Sequence, residues 1–183
     1  EPWKIPDVEL LPKIETTITT KKKGFAPFKH DNKNLARPWA LPGTPGLEHR
    51  VGGLEKWNNT GHVSYDPENH QKMVELRQQK VDVIANDISP SKIYGKENGD
   101  LLVIGWGGTH GAIRSAVESS QNDGFAVSHL HLRYLNPLPK DLGDILVKFQ
   151  KVMIPELNLG QLAMIIRSKF LVDVISLCKV QGK

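Results

Sequence analysis

The sequence has a single cysteine, no apolar run long enough to span a bilayer, and no metal-ligand spacing among its seven histidines. Each shortage removes a class of function. Cys178 alone forms no internal disulfide and falls short of the several thiolates that an iron–sulfur cluster takes. Its place in the apolar run Val172–Cys178 predicts a buried structural thiol, and such sparing use of cysteine fits a cytoplasmic protein. The longest apolar stretches, such as Leu101–Trp106, are far shorter than the roughly 20 residues of a membrane helix. His49, His62 and His70 lie near Glu48, Glu55 and Asp66, but without zincin spacing or thiolate partners, so no metal site is expected. Aromatics are scarce at 7%, and the net charge of +4 is scattered apart from Lys21–Lys23. A basic stripe interleaved with stacking aromatics is therefore missing, which argues against a nucleic-acid binder.

What is present is 39% hydrophobic and 24% charged residues, the balance of a globular chain rather than a disordered one. The chain opens on Glu1 rather than Met, and Glu1–Pro12 has no signal-peptide core, which sets the expectation of an excised or processed piece. Three parts are expected. Residues 1–65 form an irregular arm, dense in Pro38, Pro42, Pro45, Gly43 and Gly46, which set turns and forbid long ladders. Yet Trp3, Ile5, Leu10, Ile14, Ile18, Phe25, Phe28, Leu35 and Trp39 are too apolar for a solvated linker. They predict an arm packed on its own domain or on a neighbour. Residues 66–99 form a connecting helix and turn, with Asp66 as N-cap, Pro67 in the first position and Pro90 as the stop. Met73, Leu76, Val81, Ile84 and Ile88 mark its apolar face.

Residues 100–183 read as an α/β domain. Strands are predicted at Leu101–Trp106, Ala126–Leu132, Val152–Glu156 and Val172–Leu177. Between them come a helix with Ile113, Ala116 and Val117 inward, a short helix over Leu142–Phe149, and a third over Leu159–Phe170. Strict alternation predicts a three-layer sandwich around a mostly parallel sheet. The strand entering Gly107, Gly108, Thr109, His110 and Gly111 offers backbone donors at a helix N-terminus, a candidate anion site, although the spacing is neither a P-loop nor a dinucleotide fingerprint. The same glycines also suit close strand–helix packing. His129, His131 and Arg133 share one strand face by the period of two, at the sheet edge where α/β ligands bind. Capping of neighbouring backbone is the alternative. Asn158 is a candidate N-cap with Gln161 three residues on, and Glu156 beside them is placed to pair with His110 or to hold a partner subunit.

Several motifs together carry a family resemblance. Arg37-Pro38-Trp39, Pro42-Gly43, Gly61, Asn69-His70, Gly105–Thr109, His129–Pro139 (HLHLRYLNPLP) and Pro155–Leu162 (PELNLGQL) resemble the alpha subunit of 2-oxoglutarate:ferredoxin oxidoreductases, over nearly the whole chain. The resemblance implies the C-terminal end of that subunit and a domain similar to the C-terminal domain of transketolase. It implies a complete enzyme that oxidatively decarboxylates a 2-oxoacid with coenzyme A and passes electrons to ferredoxin. Thiamine diphosphate, Mg and iron–sulfur clusters would serve that enzyme, and this piece would hold none of them. The implied partners are the remainder of the alpha subunit and a beta subunit that binds the thiamine diphosphate; no nucleic acid or membrane is among them. No Gly-Asp-Gly diphosphate motif is present, so no catalytic residue of the family is carried over. The expected role is a structural, subunit-assembly domain, with an anion or coenzyme A site at residues 107–111 as the alternative.

Overall fold

The computed structural model describes residues 5–14, 16 and 18–181, in two compact units, Glu1–Lys80 and Val81–Lys183. Trp3, assigned above to the apolar arm, lies outside the described residues. Among the described residues of the first unit, where prolines and glycines are dense, the strands are a two-residue parallel pair, β1 (Ile18–Thr19) with β2 (Trp39–Ala40). Phe28 and Leu47 are buried, and the Arg37 guanidinium lies 4.3 Å over the Phe28 ring. Helix α1 (Pro67–Asp82) begins as its sequence predicts, with Asp66 Oδ1 accepting from the Asn69 N–H at 2.7 Å. Asn69 is itself buried. Its amide donates to the Lys56 carbonyl at 2.9 Å and accepts from the Asn58 N–H at 3.1 Å, which pins the 56–58 loop to the helix. Of the expected apolar face, Met73 is buried while Ile84 is largely exposed. The α-helix ends at Asp82, short of Pro90, and Val83–Asn86 continue as a 3₁₀ turn.

In the second unit, β3 (Ile93–Tyr94), β4 (Gly99–Trp106), β5 (Val127–Leu132), β6 (Phe149–Glu156) and β7 (Val174–Cys178) form a five-stranded sheet in the order β3-β5-β4-β6-β7. All neighbours are parallel except β3 against β5. Helices α2 (His110–Asn122), α3 (Leu142–Leu146) and α4 (Gln161–Phe170) flank it. The alternation of side chains along β4 sorts the core into two clusters. Leu102 and Ile104 pack with Leu130, Leu142, Ile154 and Ile166, on the side of α3 and α4. Val103 packs with Ile113 and Val117 of α2. Ala116, expected inward, is exposed, because the i, i+4 pair Ile113 and Val117 already covers the narrow contact. Cys178 is exposed as well. It closes β7, an edge strand that buries only Val174, so the apolar run gives the thiol no second layer to enter.

The order places β5 and β6 on either side of β4. The chain leaves β4 in one direction and returns on the other, so the carboxyl edge of β4 is a topological switch point. Both α2 and α4 begin there.

Candidate functional site

Two polar groupings occupy this edge. The first is built on β5. Parallel register sets His129 beside Val103 and His131 beside Gly105, so both imidazoles project toward α2. Helix α2 starts at His110, whose ring centroid stands 4.9 Å from that of His131 and 5.5 Å from that of His129. Gly105 makes this approach possible. A Cβ there would meet Ile113 Cδ1 at 2.5 Å and His131 Nδ1 at 3.2 Å. His129 is 2% exposed, and its Nε2 finds no hydrogen-bond partner, nor does Nδ1 of His131. Burial, reinforced by the positive fields of His110, His131 and Arg114, pushes His129 down to about 4. Burial lowers His131 too, with His110 adding to it, while a hydrogen bond to the Gly107 backbone opposes the shift. Both rings are therefore neutral near pH 7.

These histidines line a cavity of about 580 Å³, together with Lys92, Arg114 and Arg133. Its single acidic lining residue is Asp87. One wall is held by Ser91, whose N–H and hydroxyl both donate to the Asp141 carboxylate, at 2.7 and 2.9 Å. Arg114 lies over the Tyr94 ring and pairs with Glu118 at 2.6 Å. Among the described residues, no group of three or more His, Cys, Asp or Glu is arranged to hold a metal ion.

The second grouping centres on Glu156, 3% exposed at the end of β6. Its carboxylate accepts from the N–H groups of Leu162 and Ala163 at 2.9 and 3.1 Å, from the Trp106 indole at 3.3 Å and from the Asn158 amide at 3.1 Å. Asn158 Oδ1 accepts from the N–H groups of Gly160 and Gln161 at 2.7 and 3.0 Å, but it is not the N-cap expected from the sequence: that position is Gly160, in the left-handed region, so Asn158 shapes the turn that leads into α4. Glu156 thus neutralises the first turn of α4 from within the sheet and does not pair with His110.

The glycine turn between the two groupings divides by task. Gly105 serves close packing, as above. Gly107, with φ of +58°, and Gly108 and Gly111 have nothing within 4 Å of where a Cβ would stand. Thr109 closes the turn, its hydroxyl donating to the Trp106 carbonyl at 2.8 Å and accepting from the Trp106 N–H at 3.2 Å.

Of the residues singled out in the sequence, His110, His129, His131 and Arg133 come together around the cavity. Glu156, Asn158 and Gln161 form the other grouping. Sequence reasoning missed Arg114, Lys92 and Trp106. Arg114 was within reach, since it follows His110 by one helical turn and so shares its face. The lone thiol cannot hold an iron–sulfur cluster, and the anion-binding end of α4 is taken by Glu156.

Fold and edge together define an α/β domain with a mostly parallel sheet and its polar groups gathered at the carboxyl edge. No family model matches the chain. It is 50% identical, over its whole length, to the 2-oxoglutarate oxidoreductase subunit KorA of Mycobacterium tuberculosis, of which it spans 28%. It is 34% identical over 84% of its length to the 2-oxoacid:ferredoxin oxidoreductase 1 subunit alpha of Aeropyrum pernix, spanning 25% of that protein. Among solved structures, it superimposes with a TM-score of 0.85 and 27% identity on 2-oxoglutarate:ferredoxin oxidoreductase from Magnetococcus marinus with 2-oxoglutarate, coenzyme A and succinyl-CoA bound. That match covers 97% of this chain and 32% of the other. The chain corresponds to a region of the alpha subunits of the 2-oxoglutarate and 2-oxoacid:ferredoxin oxidoreductases.

Proposed function

We propose that this region is the non-catalytic, C-terminal assembly domain of an alpha subunit whose complete enzyme oxidatively decarboxylates a 2-oxoacid, 2-oxoglutarate in the first instance, to its acyl-CoA. On this reading, residues 100–183 form a three-layer domain like the C-terminal domain of transketolase. Thiamine diphosphate, Mg and the clusters reside on the remainder of the alpha subunit and on a beta subunit, in a cytoplasmic complex that delivers electrons to ferredoxin. The observation that carries the assembly role is the set of large apolar side chains left exposed in the first unit, among them Ile5 at 88%, Val51 at 79% and Trp39 at 69%. Trp39 and Val51 line one surface groove with Ile18, Leu41 and Pro42, and a contiguous apolar patch of this kind is the surface expected of an interaction site. Replacing Trp39 and Val51 by Asp is expected to abolish co-purification with the remaining subunits while leaving the circular dichroism of the chain unchanged. Decarboxylation of 2-oxoglutarate by this chain alone, supplied with thiamine diphosphate and an artificial electron acceptor, would refute the assignment.

A second reading is favoured by the open Cβ positions of Gly107, Gly108 and Gly111. There the turn 107–111 takes an anion, such as part of coenzyme A, a compound bound in the Magnetococcus enzyme structure. Calorimetry with coenzyme A tests it. Absence of heat at millimolar ligand would rule it out.

A further inference from the structure

We propose that the cavity between β5 and the start of α2 binds a phosphorylated small molecule, its phosphate held by His129, His131 and Arg133 against the first turn of α2. This goes beyond the glycine-turn reading, because the recognising groups are imidazoles of β5 and a guanidinium just past its end. Neither group belongs to residues 107–111.

The cavity calls for a ligand on its own terms. A buried polar atom left unpaired destabilises the fold, and here two imidazole nitrogens, Nε2 of His129 and Nδ1 of His131, are unpaired at one edge of one sheet. His129 lines the cavity and is almost wholly removed from solvent. A neutral imidazole carries one N–H and one bare nitrogen, so a phosphate supplies an acceptor oxygen to an Nε2–H of His129, and its P–OH supplies a donor to Nδ1 of His131, whose N–H is engaged by the Gly107 backbone. Helix α2 has no acidic residue in its first turn, and its last turn, which would favour cations, is at the far end.

Charge sets the class of ligand. Lys92, Arg114 and Arg133 line the cavity against Asp87 alone. Part of the Arg114 charge is met by Glu118, which leaves Lys92 and Arg133, both exposed, as the cations facing an incoming group. A cation is thus disfavoured, and an apolar ligand would strand the imidazoles. Donors approach from β5, from α2 and from the segment after β5. Three phosphoryl oxygens match three directions, whereas a carboxylate offers two oxygens in one plane. The volume of about 580 Å³ lies within the range of small-molecule sites, so it takes more than the anion itself. The wall carrying Ser91, Lys92 and Tyr94 faces that remainder, and the Ser91–Asp141 hydrogen bonds hold it in place before any ligand arrives.

The test is a titration of the full chain with inorganic pyrophosphate, followed by the ring nitrogen resonances of the histidines, with malonate as the carboxylate control. Saturable shifts of His129 and His131 are expected, with Arg133→Ala weakening binding about tenfold. Arg133 is exposed, so this variant keeps the test valid even where a substitution at buried His129 unfolds the chain. Gly108→Ala, which meets nothing within 4 Å, is expected to leave the affinity unchanged. Absence of any ring shift at roughly 10 mM pyrophosphate would overturn the proposal, since that excludes even millimolar affinity. Tighter binding of malonate than of pyrophosphate would overturn the phosphate assignment. Loss of binding in Gly108→Ala with none in Arg133→Ala would move the anion to the glycine turn.

Discussion

Helices α2 and α4 both begin just past the carboxyl end of a parallel strand, and their first turns meet opposite surroundings. At α4 the positive end of the helix is met by a carboxylate from the chain itself, Glu156, with Trp106 and Asn158 completing its hydrogen bonds. At α2 the first turn holds no acid, and three imidazoles with a fringe of cations surround a cavity in which Asp87 is the one acidic lining residue. One end is internally satisfied and rigid. The other has polar atoms in want of partners. An α/β edge therefore does not bind ligands simply because helices point at it; what matters is whether the sheet brings its own counter-charge.

The largest effect is expected from emptying the filled end. Glu156→Ala removes the acceptor from two backbone N–H groups, an indole and an amide, and is expected to cost about 3–4 kcal/mol of unfolding free energy in urea melts. A loss below about 1 kcal/mol would mean that water substitutes for the carboxylate and that the two ends differ little.

Next is the pH response of the other end. In the fold His129 takes up a proton only at about 4, whereas in the unfolded chain it does so near its usual value of about 6.5. Between these values the unfolded state binds more protons. Stability is therefore lost as pH falls from about 6.5 to about 4, by up to about 3 kcal/mol, and His129 adds no slope above that window. His129→Leu is expected to flatten this part of the profile relative to the parent chain, measured from urea midpoints. An identical slope in both would show that His129 is not the responsible group.

A smaller contrast lies within the glycine turn. Gly105→Ala drives a methyl into Ile113 and toward His131, and is expected to cost about 1–3 kcal/mol. Gly108→Ala, with open space around it, is expected to change thermal stability by less than about 0.5 kcal/mol.

The alternating α/β order was legible because continuous apolar runs such as Leu101–Trp106 are bounded by glycine and asparagine turns. Strand β3 was not. Two residues, Ile93–Tyr94, carry no periodicity, and their pairing with β5 is antiparallel and long-range. Asp66 was readable as a cap because it bonds the N–H three residues on, whereas Asn158 bonds N–H groups two and three residues on from within a turn and the N-cap itself falls to Gly160. Glu156 was not readable in that way, since its backbone partners lie six and seven residues on, a distance set by a strand end folding back over a helix start. The period of two put His129 and His131 on one face. The convergence of His110 on them depends on how α2 crosses the sheet, which no local spacing records. Cys178 shows the opposite failure. An apolar run marks a strand but does not say whether that strand lies at the edge of the sheet.

The burial of Glu156 also decides how part of the molecule responds to its solution. Dissolved ions screen exposed charges within about a Debye length, but they do not enter a space that excludes water. The contacts of Glu55 with His70 and Arg77 in the first unit are partly exposed and should weaken as salt is added. The Leu162 and Ala163 amides, which donate to a shielded carboxylate, should keep the same hydrogen–deuterium exchange rates from about 0.01 M to about 1 M salt. The start of α4 would then serve as a fixed internal reference, against which the salt response of every other charged contact can be measured.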